Sequence, residues 1–175
     1  MAYDAVRSYK MKFVETPYTI NNIRHLRQLH FDGPAIGLST HNGPTIISTD
    51  LSDYQTMNWL SDWFNEECRL RCKRYDEQMS PYDYWVANKE NIIESTHHLT
   101  IEALNDAVYG RVIGCNNFRP GLMYGWIKLL GATRVLDFSS GWGGRLIGCL
   151  AAGALYVGVD PNECVHKGYK KIIDM

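Results

Sequence analysis

The sequence predicts an α/β fold: the beginning of a doubly wound parallel sheet, preceded by a mainly helical region over residues 1–114. Three observations carry this. Two short apolar runs, residues 133–138 and 155–159, flank a single helical segment, which makes them neighbouring parallel strands joined by a crossover. The turn after the first run contains Gly141, Gly143 and Gly144, so the backbone there is open to close approach. Upstream of about residue 115, apolar positions recur at helical spacing over 21–30, 53–74 and 91–110, which makes the region mostly helical.

The elements follow in order. Residues 1–19 show little periodicity, and Ile23, Leu26 and Leu29 mark a short amphipathic helix over 21–30. Gly33-Pro34 and Gly43-Pro44 punctuate the chain around an extended piece at 45–48. Residues 53–74 form a helix with Met57, Leu60, Phe64 and Cys68 as its apolar stripe and Trp59 and Trp63 beside it. Its end carries Arg69, Arg71, Lys73 and Arg74, which suit the negative end of the helix dipole as a solvated cap. A phosphate-backbone contact is the sharper alternative for the same residues. Ser80, Pro81 and Asp83 spell a helix start with a capping box. Residues 91–110 then supply a long helix with Ile93, His97, Ile101 and Leu104 on one side.

After residue 114 the character changes. Pro120 opens a helix with Leu122, Trp126 and Leu129 as its buried face and Gly131 as its stop. A strand over 133–138, a helix over 143–152 ending at Gly153, and a strand over 155–159 follow, and Asn162 begins another helix. Two strands alone leave an edge and a face uncovered, so the chain is expected to continue beyond Met175 through the rest of the sheet. Residues 115–175 are then the first part of a second domain.

A net charge of -1 gives no broad field for nucleic acid or membrane, although a local basic stripe can hide in that total. No signal core and no apolar run of membrane-spanning length occurs, which fits a cytoplasmic protein without membrane association. Five cysteines without staple spacing fit a reducing compartment, with Cys149 in an apolar helix pattern as a buried thiol. Metal binding is not expected. His97 and His98 diverge on a helix, and Cys68 with Cys72 lacks a completing pair. Ser139 and Ser140 lack the flanking pattern of a nucleophile elbow.

The glycine turn carries the chemistry. A dinucleotide fingerprint would need glycine at position 146, where Leu146 stands, and no phosphate loop with G-K-[ST] occurs. Asp160 ends the second strand, where a carboxylate accepts both hydroxyls of an adenosine ribose. Asp137 ends the first strand, badly placed for a pyrophosphate but well placed for a cationic amino-acid group. That combination points to S-adenosylmethionine over NAD or ATP. Structural alternatives stand beside these roles: Asp160 can cap the next helix, Asp137 can cap the turn, and Phe118 can be packing. Arg145 suits pairing with a nearby acid, and Trp142 either packs under the turn or walls the crevice.

The strings FRP, RVLDFSSGWGGRLIGCLAAG and YVGVDPN, within residues 116–165, resemble the cofactor half of class I S-adenosylmethionine-dependent methyltransferases. The resemblance is strongest to DNA adenine N6-methyltransferase-like proteins of phages and large DNA viruses, whose turn often reads G-W-G-G-R-L; MSPYDYW is a looser likeness. It implies a Rossmann-like sheet, methyl transfer to adenine N6, DNA as partner, and host cytoplasm if the source is viral. It places Asp137, Gly141, Gly143 and Gly144, with Ser139 among them, in the first cofactor motif. Phe118 and Pro120 fall in the segment that helps hold the methionine part, and Asp160 on the ribose hydroxyls. The [DNS]-P-P-[YFW] loop of such enzymes is missing; TDLSDY and SPYDYW lack its paired proline. No catalytic residue is therefore assigned, and a further lobe or subunit is expected to supply the rest of the sheet. A non-catalytic interaction protein, or a methyltransferase acting on RNA, protein or a small molecule, are the alternatives.

Overall fold

A computed structural model describes residues 37–39, 45–47, 58–96 and 100–174. The expected helix over 21–30, the residues Met57, His97 and His98, and the TDLSDY stretch lie outside them. So does Met175. A hairpin of β1 (Gly37–Ser39) and β2 (Thr45–Ile47) is antiparallel, with Leu38 opposite Ile46. The extended piece expected at 45–48 is β2, whereas its partner β1 was not anticipated because its three residues lie among breakers.

The chain divides into two compact units, the break falling between Asn116 and Asn117 and within the first described helix, between Phe64 and Asn65. That helix, α1 (Asn58–Arg71), was expected to bury Leu60, Phe64 and Cys68. Among the side chains described, its most buried positions are instead Ser61, Asn65, Glu66 and Leu70, with Phe64 only partly buried. Three polar side chains thus share the buried positions, and hydrophobic spacing alone could not find them.

In the unit containing Asn65–Asn116, α2 (Pro81–Ser95) begins as its sequence demands. Ser80 Oγ accepts from the Asp83 amide at 3.1 Å and donates to Asp83 Oδ2 at 2.7 Å, so the two side chains close on each other. The single long helix expected over 91–110 is two. The Ile92 carbonyl accepts from the Thr96 amide and from the hydroxyls of Thr96 and Ser95, which ends α2. Thr100 then caps α3 (Ile101–Tyr109) through the Ala103 amide. Hydroxyl side chains competing for backbone groups broke the helix that periodicity alone would have continued. Leu70, Trp85, Ile92, Ile93, Leu104 and Val108 form this unit's core.

The other unit carries α4 (Pro120–Leu130), β3 (Arg134–Asp137), α5 (Gly144–Ala152), β4 (Leu155–Gly158) and α6 (Glu163–Ile173). β3 and β4 pair in parallel, with Leu136 beside Val157 and Asp137 beside Gly158. Asn162 caps α6 through the Cys164 amide at 3.1 Å. An α/β arrangement with a small parallel sheet, preceded by helical elements, is therefore present.

The buried face of α4 is not the expected one. Tyr124 and Ile127 are buried with Gly121 and Gly125, while Trp126 is 46% and Leu129 47% exposed. The stretch is apolar nearly all round, so spacing left two faces open. Close packing of α5 chose the one with Tyr124. A Cβ on Gly148 of α5 would stand 2.5 Å from the Pro120 carbonyl oxygen and 2.6 Å from Met123 Cβ.

The sheet is covered on one side. Val135 and Tyr156, neighbours in register, pack against clusters that draw on α4, α5 and α6, including Tyr124, Ile127, Ile147, Cys149 and Ile172. The opposite face presents Leu136, Phe138, Leu155, Val157 and Val159, all exposed, Phe138 at 83%. Among the described residues, nothing covers this apolar row. No helix among them is long and apolar enough to cross a membrane.

Candidate functional site

The chain leaves β3 at Asp137 and must turn sharply before α5 starts at Gly144. Gly141 at φ +61° and Gly143 at φ +92° make that turn, using backbone conformations costly to other residues. The turn is fastened to the end of β4. The Ser140 amide donates to the Val159 carbonyl at 3.0 Å, and the Val159 amide donates to the Asp137 carbonyl at 2.8 Å. A Cβ at Gly158 would stand 2.4 Å from Ser140 Oγ, so glycine there lets the turn lie on the strand.

Both strand-end acids meet this turn, by different routes. Asp160 is partly exposed; its Oδ2 accepts from the Gly141 amide at 2.6 Å and its Oδ1 from the Asn162 amide at 2.9 Å. Asp137 is buried, at 8% exposure. Its Oδ2 accepts from Arg145 Nε at 2.6 Å and from the Tyr156 hydroxyl at 2.7 Å, and its Oδ1 from the Ser139 amide at 3.1 Å. Burial alone would raise the Asp137 pKa, but the hydrogen bonds from Arg145, Tyr156 and the Ser139 amide outweigh it and hold the carboxyl below its ordinary value. Burial and the Asp137 charge push the nearby Cys149 thiol up to about 12, leaving it neutral.

Arg145 does more than pair with the acid. It donates to the Ser139 carbonyl, and its guanidinium carbon lies 5.0 Å from the centre of the Phe118 ring. Phe118 thereby reaches the turn through Arg145, and its carbonyl oxygen packs where a Cβ on Gly144 would be, 1.9 Å away. Gly144 is thus needed for packing of α5 against the Phe118 backbone. Pro120, the buried first residue of α4, lies further along, with its carbonyl toward Gly148. Of the anticipated residues, Asp137, Ser139, Gly141, Gly143 and Asp160 converge on the turn. Trp142, within it, is half-buried.

Two participants escaped the sequence reading. Tyr156 binds Asp137, and Tyr169 of α6 donates its hydroxyl to the Gly141 carbonyl. Burial raises the pKa of both phenols, keeping them protonated donors. A tyrosine on the covered face of a short strand was the available signal for Tyr156, since its buried hydroxyl needs a partner. With Asp160 and Tyr169, both the amide and the carbonyl of Gly141 are held.

A cavity of about 340 Å³ lies between α5, β4 and α6, lined mainly by Leu146, Leu150, Leu155, Tyr156, Tyr169 and Ile173. Of the turn, Ser140 alone lines it, and neither acid does. It is an apolar space behind the turn, distinct from the polar ends of the strands. The basic end of α1 is largely committed within the protein. Arg71 pairs with Glu67 at 3.2 Å and covers the Tyr82 ring, and Arg74 pairs with Asp76 at 2.7 Å. Among the described residues, no three His, Cys, Asp or Glu side chains converge as metal ligands.

No protein-family model, curated protein or solved structure matches the chain.

Proposed function

We propose that the edge formed by the glycine turn and the end of β4 binds the adenosyl part of S-adenosylmethionine, and that the protein is a methyltransferase acting on adenine N6 in DNA. The observation that carries this reading is Asp160 beside Gly141: a partly exposed carboxylate at the end of the second parallel strand, against bare backbone. Each of its oxygens accepts one amide bond, and a carboxylate has about four acceptor positions, so two remain for the ribose hydroxyls. When bound, the cofactor supplies an electrophilic methyl group on a sulfonium sulfur. This chain's part is to hold the ribose at Asp160 and keep the turn rigid through Tyr169 and Arg145.

The residues fit the ribose end better than the amino-acid end. Asp137, expected to face a cationic amino group, is neutralised by Arg145 and enclosed. That observation favours a second reading, an interaction protein that keeps the fold and catalyses nothing.

The doubly wound architecture is supported by the one-sided cover of β3 and β4. Helices lie on one face, and the other is as apolar as a face awaiting a second layer. Further strands and helices, from the same polypeptide or a separate subunit, would complete the sheet and bring the amine-holding loop. DNA and adenine as targets rest on the sequence resemblance. The test offers methyl-labelled S-adenosylmethionine with duplex DNA containing adenine, the same duplex carrying N6-methyladenine, and an RNA of the same sequence. Label entering the first alone supports the proposal. Label entering RNA would move the target, and cofactor binding without transfer to any would favour the non-catalytic reading.

A further inference from the structure

Cys72 and Cys115, both in the unit of Asn65–Asn116, form a close thiol pair away from the glycine turn. Cys72 directly follows α1, and Cys115 lies beyond α3. The Cys115 thiol donates to the Cys72 carbonyl at 3.7 Å, and the Cys72 thiol donates to the Lys73 carbonyl at 4.0 Å. Both thiols are free and half-buried, unlike Cys149, which is wholly enclosed.

The surroundings hold the pair in place. Arg69 Nη1 donates to the Cys115 carbonyl at 3.4 Å, and the Ile113 amide donates to Glu77 Oε1 at 2.9 Å. Gly114 sits so tightly against Tyr109 that a Cβ there would stand 2.9 Å from its ring. The segment bearing Cys115 is thus fastened against the end of α1, with the Cys115 thiol on the Cys72 backbone.

We propose that Cys72 and Cys115 are a redox-active dithiol that closes to an intramolecular disulfide by exchange with a low-molecular-weight disulfide of the glutathione class. Cys72, as thiolate, attacks one sulfur of that disulfide, forming a mixed disulfide and expelling one thiolate. Cys115 then gives its proton to solvent and attacks Cys72 Sγ, forming the protein disulfide and expelling the second thiolate. Two protein thiols are oxidised and one small disulfide is reduced to two thiols. Burial and the neighbouring Cys72 push the Cys115 thiol up to about 11 against the positive charges of Arg69 and Arg74, so Cys115 is protonated at rest and loses its proton before the second step. The closed bridge joins the end of α1 to the segment after α3 and encloses α2 and α3 in one covalent loop.

The test incubates the full chain in glutathione buffers from reducing to oxidising, quenches with acid, alkylates, and maps the peptides by mass. The expected result is a Cys72 peptide linked to a Cys115 peptide under oxidising buffer, with loss of both alkylation sites and full return on reduction. In Cys115→Ser, Cys72 stops at the glutathione adduct; in Cys72→Ser, no bridge to Cys115 forms. Circular dichroism of each variant checks that it is folded. Separate glutathione adducts on both cysteines of the unaltered protein, linkage of either to a different cysteine, or thiols that stay alkylatable throughout would overturn the proposal.

Discussion

Arg145 and Asp137 form an ion pair at 2.6 Å at the root of the glycine turn, the carboxylate enclosed and the guanidinium also bound to the Ser139 carbonyl. Removing the cation while keeping the acid leaves an uncompensated buried charge. Arg145→Met is therefore expected to lose about 3 kcal/mol of stability in urea unfolding. The double variant with Asp137→Asn is expected to recover part of that loss. Full additivity of the two changes would show that the pair is not coupled.

The pH dependence has a defined sign. The folded-state pKa of Asp137 lies below its ordinary value, so its contribution is complete above the unfolded-state value, about 3.9, and is lost as pH falls through the folded value. Asp137→Asn should be less stable than the unaltered protein by a constant margin at neutral pH, with the margin shrinking below about pH 4. A margin independent of pH down to acid unfolding would contradict the assignment.

Packing at the start of α5 makes a sharper demand. Gly144→Ala puts a methyl group on the Phe118 carbonyl, and Gly148→Ala puts one on the Pro120 carbonyl, both backbone atoms that cannot rotate aside. Each should cost about 3 kcal/mol, the upper end of ordinary overpacking, read as a drop in the unfolding midpoint. Unchanged stability in either variant would mean that α5 does not approach these carbonyls so closely.

On the bare face of the sheet, Phe138→Ser and Val157→Thr remove apolar groups already in solvent. Stability should move by less than about 0.5 kcal/mol, while binding of a hydrophobic fluorescent dye falls. A loss of several kcal/mol would show that these side chains are buried.

The α/β half was legible because its signals are local. Gly131 and Gly153 stop helices with left-handed backbone, Asn162 caps α6, and the two apolar runs lie within a residue of β3 and β4. Ser80 and Pro81 fixed the start of α2 in the same way. What spacing could not decide was set by long-range contact or by competition for backbone groups. Tyr124 rather than Trp126 faces inward because α5 brings Gly148 close against Pro120, Met123 and Tyr124 of α4. Thr96 and Thr100 divide a helix whose apolar positions run straight on. At the site, the sequence assembled the acids and glycines, but not the tyrosine clasps from β4 and α6, whose partners lie far away in the chain.

The most direct test of the cofactor site is calorimetric titration of the folded protein and its Asp160→Ala variant with S-adenosylmethionine, and of the unaltered protein with NAD. Saturable S-adenosylmethionine binding, weakened by about 1.5–3 kcal/mol in the variant and stronger than any NAD binding, is the predicted result. Equal or tighter binding of NAD, or an affinity unchanged in a folded Asp160→Ala protein, would contradict it.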